Sequence, residues 1–303
     1  MPLDIKKEIG TEWTEFLDLN KSDDNELPQI GSDIENFYQN TSQYECSPEE
    51  SLIFASFKNC KPTNVKVVFV GNDPYLDKNK ANGMCFSTKK SEMTTTIINL
   101  KRLLNSKNLN PDFLDYAKKG ILFLNTSLTF IISKSKHDEY KNCEKRWKEK
   151  RDKYEREKEE IEKNLKKLET ERKTGNEDTN VFLYAYNEKL DYQKKQILKH
   201  EKNKPNLASY KEDTYKIWKP LIKRTLEKLN DCHDIKFVFW GKEAKKLCED
   251  LNMRKQGNVI CVAHPSYDED KRNDTIKNGY DDFVDPKTDE QKNLVNSVKE
   301  YFQ

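Results

Sequence analysis

The stretch Val65-Lys66-Val67-Val68-Phe69-Val70 is followed at once by Gly71-Asn72-Asp73-Pro74-Tyr75. A short apolar run rich in β-branched residues is typical of a strand that is buried on both faces of a parallel sheet. The polar segment after it contains Gly, Asn, Asp and Pro, which favour a turn. The sequence therefore predicts a buried strand that delivers Asn72 and Asp73 to one edge of a sheet.

Three further apolar runs, separated by helical patterns, repeat this arrangement. The runs cover residues 121–124, 235–240 and 259–263, and the helical patterns cover residues 94–105, 215–229, 242–251 and 289–302. Alternation of strands and helices places helices on both faces of a parallel sheet. We therefore expect an α/β fold with three layers, α/β/α, and a central four-stranded, mainly parallel sheet.

Each predicted strand ends in residues that can bind a ligand or make a tight turn. Asn125 follows the second run, Gly241 the third, and His264 the fourth. In open parallel sheets ligands bind beyond the carboxyl ends of the strands. Four successive strands thus bring an Asp, an Asn, a Gly turn and a His to one edge, which predicts a functional site there.

Composition excludes several classes of protein. The chain has 303 residues, of which 36% are charged and 34% hydrophobic, and its net charge is +2, so overall charge does not indicate nucleic acid. Seven Cys without a C-x-x-C pair indicate neither a disulfide framework nor a zinc site, and we predict no metal and no cofactor. We expect no membrane span, no signal peptide and a reducing intracellular location, in nucleus or cytoplasm. Abundant Lys, Asn and Asp suggest an AT-rich genome, which fits a viral or phage origin.

Residues 136–205 differ in composition from the rest of the chain. Between 139 and 173, 25 of 35 residues are charged and neither Gly nor Pro occurs, which predicts a long helix. Apolar side chains recur every seven residues, at Tyr140, Trp147, Tyr154, Ile161 and Leu168, and again at Leu183, Leu190 and Ile197. With a turn at 174–178, this pattern predicts an antiparallel helical hairpin inserted into a domain formed by residues 1–135 and 206–303. The hairpin is either a solvated pair of helices or an arm, within 139–202, that binds a protein partner or tracks DNA.

Four sequence motifs follow one another along the chain: GNDPY at 71–75, ANGMCFS at 81–87, LFLN at 122–125 and HPS at 264–266. Taken in order, they resemble the motifs of the family 1 uracil-DNA glycosylases, and the resemblance covers residues 11–130 and 207–266. It implies an enzyme that flips uracil out of DNA, hydrolyses its N-glycosidic bond and leaves an abasic site for base-excision repair. DNA, single- or double-stranded, would be the partner.

The resemblance assigns roles that the chemistry of each side chain supports. Asp73 would orient the attacking water and stabilise the oxocarbenium ion, and a neutral His264 would stabilise the departing base. The side-chain amide of Asn125 offers an acceptor to N3–H and a donor to O4 of uracil. Cytosine lacks this combination of groups on that edge. Phe86 would stack on the base, and Tyr75 would exclude a C5 methyl group. The backbone N–H of Asn72 is a further candidate contact to the base.

The DNA backbone would be held by hydroxyls and cations near the same edge. The candidates are Thr94, Thr95, Thr96, Ser266, Tyr267 and Lys89. The chain departs from the family at Asn72, where Gln is usual, and at Tyr267 and Asp268, where Pro and a Leu wedge are usual. These departures leave open a glycosylase for another modified pyrimidine. The long helical insertion, as a docking arm, leaves open a glycosylase fold used as a DNA-binding or replication-processivity subunit.

Overall fold

A computed structural model describes residues 3–20, 26–89, 92–173, 179–232, 234–253, 257–266, 281 and 283–303. The chain forms two compact units, Met1–Ile132 with Glu212–Gln303, and Ser133–Lys211. We call them the sheet unit and the hairpin unit. In the described ranges, none of the helices combines the length and the apolar character that a membrane span requires.

The sheet unit is built on four parallel strands. The predicted runs form β2 (Val67–Gly71), β3 (Ile121–Asn125), β5 (Lys236–Trp240) and β6 (Val259–Val262), in the spatial order β3-β2-β5-β6. Parallel pairing aligns Gly71 with Asn125 at the carboxyl ends of β2 and β3. The predicted α/β fold with a central four-stranded parallel sheet is confirmed.

Helices cover both faces of this sheet. They are α1 (Ile5–Ile9), α2 (Thr11–Phe16), α3 (Glu26–Gln39), α4 (Ala55–Asn59), α5 (Thr95–Leu103), α6 (Leu114–Lys118), α9 (Thr214–Asn230), α10 (Lys242–Asp250) and α11 (Asp289–Lys299). Alternate strand residues point into two separate cores. Val68 and Phe237 pack with α1–α4, α9 and α10, whereas Phe69 and Trp240 pack with α5, α6 and α11. Burial on both faces explains why the strands are apolar throughout.

A second, two-stranded sheet pairs β1 (Tyr44–Ser47) with β4 (Phe130–Ser133). The sequence did not predict it. The segment Tyr-Glu-Cys-Ser of β1 has neither a continuous apolar run nor a clear alternation, so only its pairing with β4 makes it a strand. The apolar residues of β4 are followed at once by the charged helix α7 (Lys134–Lys173), so no turn residues in the sequence mark the end of the strand.

The hairpin unit consists of α7 (Lys134–Lys173) and α8 (Thr179–Glu201). Trp147 Nε1 donates to the His200 carbonyl at 3.0 Å, and Gln193 Nε2 donates to the Tyr154 carbonyl at 3.0 Å. Trp147 thus pairs with residue 200, and Tyr154, seven residues later in α7, pairs with residue 193, seven residues earlier in α8. The two helices are therefore antiparallel. The predicted turn at 174–178 lies outside the described residues. With 40 residues, α7 is about 60 Å long.

Candidate active site

The segments that follow β2 and β6 meet at one cleft. Its walls come from the segment after β2, from the start of α5, from β4 and from the residue that follows Ala263. The lining residues are Asn72, Asp73, Pro74, Tyr75, Ala81, Asn82, Gly83, Met84, Phe86, Thr96, Phe130 and His264. The parallel topology thus brings Asp73 and His264 together, although 190 residues separate them in the chain.

Asn125, at the end of β3, is not among the residues that line the cleft, but it lies close to Gly71, which the lining residue Phe86 also approaches. Its side chain is 2% exposed. A Cβ atom placed on Gly71 would lie 2.7 Å from Asn125 Oδ1 and 3.3 Å from Phe86 Cζ. Only glycine therefore leaves room at position 71 for the amide and the ring to lie side by side.

Hydrogen bonds from the end of β3 fix the segment that carries Asp73. The Thr126 N–H donates to the Gly71 carbonyl at 3.0 Å, and the Ser127 N–H donates to the Asn72 carbonyl at 3.1 Å. Thr126 Oγ1 also donates to the Asn72 carbonyl, at 3.0 Å. The position of Asp73, which is half-buried, is therefore set by the strand next to its own.

Phe86 is held in a conformation that few side chains adopt. Its φ is +63°, in the left-handed region. Its ring is buried, 5.7 Å from the His264 ring and 5.9 Å from the Trp240 ring, and it meets both edge-on. A costly backbone conformation persists only where its surroundings impose it, and such residues cluster at functional sites.

The hydrogen bonds of His264 define its tautomer. The Ser266 backbone N–H, which can only donate, points at Nδ1 over 3.2 Å. With Nδ1 accepting this bond and Ser266 Oγ 2.7 Å from the same nitrogen, the proton of a neutral imidazole would reside on Nε2. Gly241, at φ +89°, makes room for this ring, since a Cβ there would lie 3.2 Å from His264 Cβ and Cδ2.

Tyr75 is fixed at its hydroxyl. The hydroxyl donates to the Phe86 carbonyl over 3.2 Å and lies 3.2 Å from Thr94 Oγ1. Burial, as the largest cause, raises the pKa of the phenol, while hydrogen bonds from Thr94 and Thr96 oppose that rise. The ring is thus a neutral, anchored wall of the cleft.

Comparison with known proteins places this architecture in a family. Residues 57–187 match the model of the "Uracil DNA glycosylase superfamily". Uracil-DNA glycosylase of Campylobacter jejuni (strain 81-176) is 30% identical over 138 residues, which cover 43% of this chain and 58% of the relative. That of Ureaplasma parvum is 34% identical over 122 residues, 39% of this chain and 56% of the relative. Residues 57–187 of the chain thus resemble the uracil-DNA glycosylase superfamily.

A solved structure of the superfamily shares the fold. The crystal structure of mimivirus uracil-DNA glycosylase superposes with a TM-score of 0.50 at 16% identity, covering 84% of this chain and 68% of that one. The chain matches little more than half the length of the curated relatives. The resemblance to uracil-DNA glycosylases that the four motifs predicted is confirmed at the level of the superfamily.

The candidate DNA-backbone residues have different surroundings. Thr94 caps α5 by accepting from the Ile97 N–H at 3.2 Å, Thr95 is exposed, and Thr96 is buried in the cleft wall. Lys89 forms an ion pair with Glu49 at 3.0 Å. Ser266 is exposed beside His264, and Tyr267 lies outside the described residues.

Sequence reasoning assigned no role to Asn82 or Phe130, which also line the cleft. Asn82 stands in the second motif, at 81–87. It donates to Ser87 Oγ at 2.6 Å and accepts from the Met84 N–H at 3.2 Å. Its position within a motif was the sequence feature that could have identified it as a cleft residue. Phe130 reaches the cleft because β4 pairs with β1, which no local pattern indicates. Within the described residues, no cluster of His, Cys, Asp and Glu could hold a metal ion.

Proposed function

We propose that this chain hydrolyses the N-glycosidic bond of uracil in DNA and releases the base, leaving an abasic site. The observation that carries the proposal is the convergence of Asp73, Phe86 and His264 on one cleft, with Asn125 and Phe86 both close to Gly71. The superfamily relationship supports the same chemistry, since the curated relatives are named uracil-DNA glycosylases.

Selection of the base begins with Asn125. A buried amide offers a carbonyl acceptor to N3–H and an NH₂ donor to O4 of uracil. Cytosine presents a lone pair at N3 and an amino group at C4, so both contacts would be mismatched. Mismatched polar groups in a buried site are costly, and the discrimination is correspondingly large.

Two aromatic rings complete the pocket for the base. Phe86 presents a ring whose face can stack on a planar pyrimidine. Tyr75 is anchored at its hydroxyl, so it cannot turn aside for a larger base. In this proposal its ring excludes the C5 methyl group of thymine. Base extrusion is needed because the target atom is inaccessible within a stacked duplex.

Bond cleavage separates charge between the sugar and the base. Asp73 stabilises the oxocarbenium ion as the C1′–N1 bond breaks and orients the water that attacks C1′. His264, with its proton on Nε2, donates a hydrogen bond to O2 of the departing uracil and stabilises the anion. The attacking water forms the new C1′–O bond, and its proton passes to Asp73 or to solvent.

Excision from oligonucleotides tests the proposal directly. Oligonucleotides with one uracil, single- or double-stranded, are incubated with the chain and treated with alkali, which cleaves at abasic sites. Thymine, cytosine and hydroxymethylated pyrimidines serve as controls. We expect cleavage at uracil alone. Cleavage at a modified pyrimidine instead would favour another glycosylase specificity, and tight DNA binding without excision would favour a binding subunit.

A further inference from the structure

The two units carry net charges of opposite sign. Residues 133–211 contain 23 Lys and Arg against 17 Asp and Glu, whereas the whole chain contains 55 against 53. The hairpin unit therefore has a net charge of +6 and the remainder of the chain −4. A polyanion is attracted to the hairpin unit and repelled, on average, by the sheet unit.

The positive charge is concentrated in one half of the hairpin. Residues 134–153 and 194–211, the basic half, hold 15 basic and 6 acidic residues, whereas residues 154–193, the distal half, hold 8 and 11. The two stretches of the basic half lie side by side. Trp147 bonds to the His200 carbonyl at 3.0 Å, and Arg151 pairs with Glu201 at 2.9 Å.

Three of the six acidic residues of the basic half form ion pairs within it. Besides Glu201, Glu144 pairs with Lys148 at 3.4 Å, and Asp138 pairs with Lys141 at 3.9 Å. The excess cations are available to solvent, because four lysines are exposed, one on α7, two on α8 and one just after α8: Lys145, Lys195, Lys199 and Lys202. The net positive charge is therefore presented on the surface.

We propose that the basic half of the hairpin binds the phosphate backbone of DNA without reading its sequence. The inference rests on the proposed function, which makes DNA the polyanion that this chain meets. Residues 134–153 span about 30 Å of helix, close to the roughly 34 Å of one turn of duplex, so they can reach several successive phosphates. Lysines suit this role because they act as point charges rather than as readers of base edges.

Binding of DNA to the basic half would compensate for the electrostatic repulsion between DNA and the negatively charged sheet unit. A substrate held by the arm stays tethered to the same polypeptide that carries the cleft, which raises its effective concentration there. An acidic protein would also be attracted to a basic surface. The length of the basic stretch and its spread over two helices favour a long, regular polyanion.

Two variants with equal changes in charge test the proposal. The basic-half variant combines Lys145→Gln, Lys195→Gln, Lys199→Gln and Lys202→Gln. The control combines Lys163→Gln, Lys166→Gln, Lys173→Gln and Lys189→Gln, all exposed and in the distal half. Gln and Lys have similar helix propensity, so both variants should keep the circular dichroism of the unaltered chain.

Binding to a fluorescent, uracil-free duplex of about 20 base pairs is measured by anisotropy between about 50 and 200 mM salt. We expect the basic-half variant to bind about tenfold more weakly at about 100 mM salt, with the slope of log K against log salt reduced by about 2 to 4. The control should change affinity less than about twofold. Equal losses in both variants, or none in either, would overturn the inference. So would unchanged DNA binding with loss of polyglutamate binding only in the basic-half variant.

Excision by the unaltered chain, measured on a short single-stranded oligonucleotide, separates this inference from the proposed function. Uracil excision together with equal DNA affinities of the two variants refutes the inference and leaves the function standing. Selective loss of DNA binding in the basic-half variant, without uracil excision by the unaltered chain, supports the inference and refutes the function.

Discussion

The sheet unit and the hairpin unit hold their side chains in different ways. In the sheet unit, Asn125 is almost completely buried and Phe86 has a left-handed backbone, so each site residue has one position. In α7, only Trp147 and Leu165 of 40 residues are buried. Precise placement requires burial and a fixed backbone, whereas a charged surface acts through the sum of many exposed groups. We therefore expect single substitutions to matter in the sheet unit and only combined ones in the hairpin unit.

The largest expected effects are on the rate of excision, at the two side chains that would stabilise the oxocarbenium ion and the departing uracil anion. Asp73→Asn and His264→Leu should each lower kcat for uracil excision by about 10²- to 10³-fold, because each removes stabilisation of the transition state. Single-turnover excision measures this. Asp77→Asn, at an exposed carboxylate four residues further on, is the matched control and should retain the wild-type rate.

Wild-type rates in both Asp73→Asn and His264→Leu, with unchanged circular dichroism, would show that the cleft does not perform the proposed chemistry. The expectation that single substitutions matter in the sheet unit but not in the hairpin unit would then lose its main support.

A smaller effect is expected at the base-recognition amide. Asn125→Ala should lower kcat/KM for uracil by about 10- to 100-fold, because N3–H and O4 of the base would lose their partners in a buried site. Steady-state kinetics on a single-stranded substrate measures the change. If kcat/KM stays constant, Asn125 only caps β3, and another group selects the base.

Next in size is the glycine that makes room for His264. Gly241 has φ +89° and ψ 177°, a region that essentially only glycine adopts. Gly241→Ala should reduce the free energy of unfolding by about 1–3 kcal/mol, and it should slow excision by displacing the imidazole ring. Urea denaturation and single-turnover excision measure the two effects.

Gly257→Ala is the control for Gly241→Ala, since a Cβ there would meet no atom within 4 Å. Equal losses of stability in the two variants would contradict the proposed steric cause.

The smallest effect on the sheet unit is expected from removal of the hairpin. Replacing residues 136–205 by a short linker should leave one cooperative thermal transition within about 5 °C of the wild type. The Glu212 N–H donates to the Ile131 carbonyl at 2.8 Å, so a short linker can join the chain there. Differential scanning calorimetry measures the transition. A product without cooperative melting would show that the hairpin is not a separable insertion.

Much of the fold could be predicted because the strands are short, apolar and buried on both faces. Residues 121–124 were predicted as a strand, and β3 covers Ile121–Asn125. Most of the cleft lining could be anticipated from motifs that follow those strands. Phe130 could not, because its place depends on pairing between β1 and β4, which are more than 80 residues apart in the chain.

The sequence by itself determined the alternation of strands and helices, the charged hairpin and the residue types at the strand ends, since these follow from local periodicity and composition. Only the tertiary structure decided the strand order β3-β2-β5-β6, the approach of Asn125 to Phe86 over Gly71, and the tautomer of His264. The physical reason is that these features depend on contacts between residues far apart in the chain, or on the local geometry of a hydrogen bond. Neither the long-range contacts nor the hydrogen-bond geometry can be read from local composition.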